Sequence, residues 1–174
     1  ILADIVDVVL SAPTVEGFIA GTEHVIDWPM LHRNQCLSAL TGTGDDWIHN
    51  NNNVVIALRE DGKIMYLLYS TDISGGHPWY QYTPYDGYDY GYDDDRSLAV
   101  RCARDPECRA AALDTCDEMI EQFEELDVVT TIVEERCDTL AEIGLERPAD
   151  GAVCESLARF YGKRAEELRD EIEQ

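Results

Sequence analysis

The chain has 174 residues, enough for one domain with a sizeable core. With 36 acidic against 13 basic residues its formal charge is −23, a field that repels nucleic acid and anionic membrane and suits basic partners or divalent cations. No apolar run approaches the roughly 18 residues that a membrane span needs.

Apolar residues at Leu2, Ile5, Val6, Val9 and Leu10 recur at helical spacing, and Ala12-Pro13 ends that helix. Thr14 is placed to cap a second short piece carrying Phe18, Ile19, Val25 and Ile26. Asp27 caps a third helix with Pro29 in its first turn, an apolar stripe of Met30, Leu31, Leu37 and Leu40, and a stop at Gly42 and Gly44. Val54–Leu58 and Ile64–Leu68 read as two strands joined by a turn at Glu60-Asp61-Gly62-Lys63. Both are nearly continuous apolar runs, so cover on both faces is expected. Residues 75–95 hold six of the nine tyrosines, mixed with Asp86, Asp89, Asp93, Asp94 and Asp95. That stretch has too many turn formers for a helix and reads as a long surface loop. From Ser97 onward the pattern is helical, with segments 109–125, 128–143 and 150–173 forming a three-helix bundle. The fold class is therefore α+β, mainly α.

The six cysteines are Cys36, Cys102, Cys108, Cys116, Cys137 and Cys154. No pair has the C-x-x-C spacing of a zinc site, and a disulfide framework in an oxidising compartment accounts for them better. Cys102–Cys108 is the expected local loop, because Asp105-Pro106 sets a turn or helix start between the two. The four histidines, at 24, 32, 49 and 77, show neither ligand nor triad spacing.

The chemistry concentrates around the hairpin. Asp45 and Asp46 follow the third helix, the run Asn50 to Asn53 leads into the first strand, and Asp72 follows the second. A hairpin brings its first and last residues together, so Asp45 or Asp46, Asn52, Asn53 and Asp72 would surround its open end. Carboxylate and amide carbonyl oxygens are the ligands that magnesium prefers. The order Asp, Asn, hairpin, Asp is also that of the base and metal ligands in protein kinases.

Leu40 to Asp46, Asn50 to Asn53 and Tyr66 to Asp72 together resemble the C-terminal half of the spore-coat protein H (CotH) family of atypical secreted protein kinases. Leu98 to Arg109 and the helices after it extend the likeness. Two departures stand out: Leu68 occupies a position where Pro is usual, and Ile73-Ser74-Gly75 replaces the common continuation. The resemblance implies a kinase-like C-lobe, a single unit cut from a longer secreted or cell-surface protein whose Gly-rich, nucleotide-covering lobe precedes Ile1. It implies Mg2+ and ATP as cofactors and a Ser/Thr protein substrate, basic or Ser-rich. Asp45 or Asp46 would be the base, with Asn52 or Asn53 and Asp72 holding the metal. The alternative is a non-catalytic secreted binding module, or an acidic coat-like structural protein.

Overall fold

The computed structural model describes residues 2–13, 15–43, 54–68, 98–144 and 150–173. The elements are α1 (Leu2–Ser11), α2 (Phe18–Thr22), α3 (Trp28–Thr41), β1 (Val54–Leu58), β2 (Ile64–Leu68), α4 (Leu98–Arg104), α5 (Pro106–Glu125), a π-helical stretch (Val129–Glu134), α6 (Glu135–Glu142) and α7 (Asp150–Ile172). The molecule is thus mainly helical with one antiparallel hairpin, the expected α+β class. The hairpin turn closes through Arg59 N–H to Lys63 O at 2.8 Å, with Gly62 at φ 86°. That left-handed backbone favours glycine.

Helix α3 runs between two cores. In the first, Leu31 and Trp28 meet Ile5, Phe18, Ile26 and Ile64. The Trp28 indole is satisfied by Thr22 Oγ1 at 3.0 Å, and Phe18 stacks edge-on against it with centroids 5.6 Å apart. In the second core Cys36, Ala39 and Leu40 pack on Cys116 and Ile120 of α5 and Leu168 of α7. Flanked by β2, α5 and α7, α3 buries more than the apolar stripe read from its sequence. Asn34, Gln35 and Ser38 are buried with it, whereas Leu37 is 39 % exposed.

Three disulfides fasten the helices, and Cys102–Cys108 is one of them. Cys36–Cys116 joins α3 to α5, Cys102–Cys108 joins α4 to α5, and Cys137–Cys154 joins α6 to α7, with Cα separations of 5.2, 5.1 and 6.2 Å. Asp105 caps α5 from a fully buried position. Its Oδ1 accepts from Glu107 N and Cys108 N at 2.9 and 3.1 Å, and its Oδ2 accepts from Ile19 N at 3.1 Å, tying α5 to α2.

Three expectations need correction. The hairpin is not covered on both sides: Val55, Ile56 and Leu58 are 42, 49 and 52 % exposed. Apolar runs mark a strand but not what packs on it, and here α3 covers the hairpin while Leu2, Ile5, Ile56, Leu58 and Ile64 line an open apolar hollow of 300 Å³. The second helix of the C-terminal group is not one regular α-helix, because it opens as the π-helical stretch. Six consecutive β-branched residues, Val128 to Val133, crowd an α-helical turn. Thr131 Oγ1 bonds back to Leu126 O, five residues earlier, and to Asp127 O, both at 2.9 Å. Finally, the N-terminal cap of α2 is Gly17, and Thr14 lies outside the described residues.

His32 is an unexpected member of the first core. It is 2 % exposed and stacks on Trp28, with centroids 5.6 Å apart. Neither ring nitrogen has a hydrogen-bond partner among the described residues. Burial pushes its pKa from the ordinary 6.5 down to about 4. Between these values the unfolded chain binds a proton that the folded chain does not. The contribution is therefore intact above pH 6.5 and is lost as pH falls toward 4, by about 3 kcal/mol. His32→Leu should stabilise the fold at pH 7 by about 1–2 kcal/mol, since it removes two orphaned polar atoms. Its advantage over the wild type should widen as denaturant unfolding is repeated toward pH 4.5. A constant difference across that range would contradict this account of His32.

Candidate functional site at the open end of the hairpin

The site is framed by the way α3 lies along β2. Ile26 forms a parallel bridge with Ile64, where Asp27 N donates to Ile64 O and Ile64 N to Val25 O, both at 2.8 Å. Further along, the Asn34 amide donates to Tyr66 O. Start therefore matches start, and the two elements advance in the same direction. Asp27 fixes this alignment. It caps α3 by accepting from Met30 N at 3.2 Å, and its other oxygen takes the Arg59 guanidinium, which also pairs with Asp61 at 3.1 Å. The hydrogen bond to Asp27 is the main cause that raises the Arg59 pKa.

At the far end α3 stops at Gly42, which takes φ 62°. Gly42 N donates to Ala39 O at 3.2 Å and Thr43 N to Ser38 O at 2.9 Å, a glycine-based C-terminal cap. Helix α7 adds two bonds at the same turn: Arg164 Nε donates to Ala39 O as well, at 2.7 Å, and the Tyr161 hydroxyl donates to Thr41 O at 3.3 Å. A buried guanidinium also complements the partial negative charge of a helix C-terminus. In the hairpin the last register pair is Val54 with Leu68. The chain before β1, the chain after β2 and the chain after α3 therefore all attach at one end of the described structure.

Asp45, Asp46, His49, Asn52, Asn53, Asp72 and the Tyr/Asp stretch 75–95 lie outside the described residues. What the structure gives is their anchorage. Asp45 is two residues beyond Thr43, Asn53 adjoins Val54, and Asp72 is four beyond Leu68. At no more than ~3.6 Å per residue, each tether is at most about 14 Å long. The two lysines are placed differently. Lys63 stands at the opposite tip of the hairpin, about 16 Å off for a five-residue strand. Lys163 is exposed on α7 between Tyr161 and Arg164, the residues that reach the last turn of α3.

Among the described residues an open groove of 490 Å³ lies between the end of α5 and α7, lined by Phe123, Glu124, Asp127, Tyr161, Glu166 and Arg169 among others. Tyr161 connects it to the last turn of α3. Arg169 is engaged by Glu124 through two bonds of 3.0 and 2.9 Å. In the sequence Tyr161 falls at an apolar helical position and Arg164 carries no signal of its own. Their roles rest on contacts across 120 and 125 residues, which no local pattern signals.

No family model matches the chain, and no curated protein or solved structure does. Among the described residues no helix is long and apolar enough to cross a membrane.

Proposed function

We propose that the chain is the metal-holding lobe of a CotH-like protein kinase, which transfers the γ-phosphoryl group of ATP to Ser or Thr of a protein. The observation that carries this reading is the shared attachment of three chain segments at one end, since those segments bear the two aspartates, the asparagines and Asp72. Asp45 or Asp46 orients the acceptor hydroxyl and takes its proton. Asn52 or Asn53, with Asp72, offers only hard oxygen donors, the set that fits Mg2+. Bound there, Mg2+ supplies charge neutralisation on the phosphates.

The charge of −23 favours a basic, Ser-containing protein as substrate, and the groove beside Tyr161 sets Glu124, Asp127 and Glu166 against the single Arg169. Three disulfides fit a secreted or cell-surface setting. Lys63 is remote and Arg164 is engaged by Ala39 O, so in this reading a further lobe grips the phosphates. The 174-residue chain alone should therefore bind Mg-ATP weakly, with a Kd on the order of 1 mM. Titration calorimetry should detect this heat for the wild type and lose it in Asp72→Ala. Equal heats for the two would remove Asp72 from the metal site.

A further inference from the structure

Among the described residues, one set of three metal-ligating side chains comes together: His32, Cys102 and Cys108, each offering a ligand atom within 4.8 Å of the others. The two cysteines are oxidised to a disulfide, and His32 sits against it with no hydrogen-bond partner on either nitrogen. Buried polar atoms without partners are uncommon and call for a reason. We infer that reduction of Cys102–Cys108 opens a Cys2His site that takes a thiophilic divalent ion, Zn2+ by preference, and that oxidation closes it.

The reductant is a dithiol. Its two thiols become a disulfide, the Cys102–Cys108 bond breaks, and the two sulfurs receive two electrons and two protons. Zn2+ then binds both sulfurs as thiolates and releases those protons. Several features favour the bound state. Two thiolates and one neutral imidazole leave the ion uncharged overall, which suits a site among Phe18, Trp28 and Leu31. Cys108 lies in the first turn of the 20-residue α5, where the helix dipole stabilises a thiolate. His32 brings an imidazole with no hydrogen-bond partner among the described residues. Asp105, between the two cysteines, already spends both oxygens on backbone N–H groups. The described residues therefore supply three ligands and leave a fourth tetrahedral position open. Arg104, Pro106 and Glu107, next to the pair in sequence, are exposed. Among the described residues neither of the other two disulfides has a histidine in such a cluster. The inference stands apart from the kinase reading.

The test is a cobalt titration of the whole chain, reduced with excess dithiol and freed of it under argon. Far-UV circular dichroism is recorded on each sample. One Co2+ per chain is expected, with a tetrahedral visible spectrum, thiolate charge-transfer bands and displacement by Zn2+. The same reduced protein with Cys36→Ala and Cys116→Ala, or with Cys137→Ala and Cys154→Ala, should bind equally well. Cys102→Ser with Cys108→Ser should abolish uptake. His32→Leu, which leaves the fold intact or more stable, should weaken it at least about tenfold. Uptake unaffected by His32→Leu, uptake lost with either of the other cysteine pairs, or no uptake by the reduced wild type would each overturn the inference. A reduced chain that is unfolded and binds cobalt without regard to His32 would overturn it as well.

Discussion

Replacing Cys36 and Cys116 together by alanine is expected to lower the unfolding free energy by about 4.5 kcal/mol, the largest loss among the three bridges. The bridge spans 80 residues, against 17 for Cys137–Cys154 and 6 for Cys102–Cys108. In the chain-entropy account the stabilisation grows with the logarithm of the loop, which ranks the three at roughly 4.5, 3 and 2 kcal/mol. The ranking is the sharper prediction, since strain shifts the individual values. Alanine is preferred to serine because both sulfurs are fully buried in the second core, where a hydroxyl would add a desolvation cost. The loop that Cys36–Cys116 closes contains the hairpin and every candidate site residue, so this bridge also limits how far α3 can move from α5. Guanidinium unfolding of the three double-alanine proteins, read at a common slope, gives the order directly. A loss from Cys36/Cys116 smaller than that from Cys102/Cys108 would refute the assignment of this bridge as the main staple.

Much of this architecture is legible in the sequence wherever the cause is local. Asp27 and Pro29 announce the start of α3 and Gly42 its end, because capping and left-handed φ are properties of a few adjacent residues. The two strands fall where the apolar runs lie, and Asp-Gly chemistry fixes the turn between them. Asp105-Pro106 signals the start of α5 and, with it, the short Cys102–Cys108 loop. What the sequence hides is long-range. Six cysteines permit fifteen pairings, and only the packing of α3 on α5 selects Cys36–Cys116. Arg164 looks like any cation in a charged helix until Ala39 O is found beside it. His32 shows neither ligand nor triad spacing in the sequence, and no local pattern reveals that α3 is enclosed so widely that the ring is buried. Exposure of Val55, Ile56 and Leu58 is hidden for the same reason, since an apolar strand does not say what faces it.

At the candidate site, legibility divides between residue type and placement. The residues that carry oxygen ligands are visible in sequence, and the described structure accounts for their common anchorage through Asp27, Asn34, Gly42 and the Val54–Leu68 pair. None of those four anchors carries chemistry itself. Their part is to set direction, so that α3 and β2 finish at the same end.

The central claim is that this end holds a metal for phosphoryl transfer, and the second large effect follows from it. Loss of a carboxylate that anchors Mg2+ leaves developing phosphate charge uncompensated, and should reduce transfer about a thousandfold, on the order of 4 kcal/mol in the barrier. The most direct measurement uses the chain joined to the nucleotide-covering lobe that the proposal requires, labelled ATP and a basic, Ser-rich protein, with wild type and Asp72→Ala compared at saturating Mg2+. The account predicts labelled phosphoserine or phosphothreonine from the wild type and a loss of about a thousandfold in Asp72→Ala, with folding unchanged. Transfer by Asp72→Ala at the wild-type rate, or no transfer by a folded wild type, would contradict it.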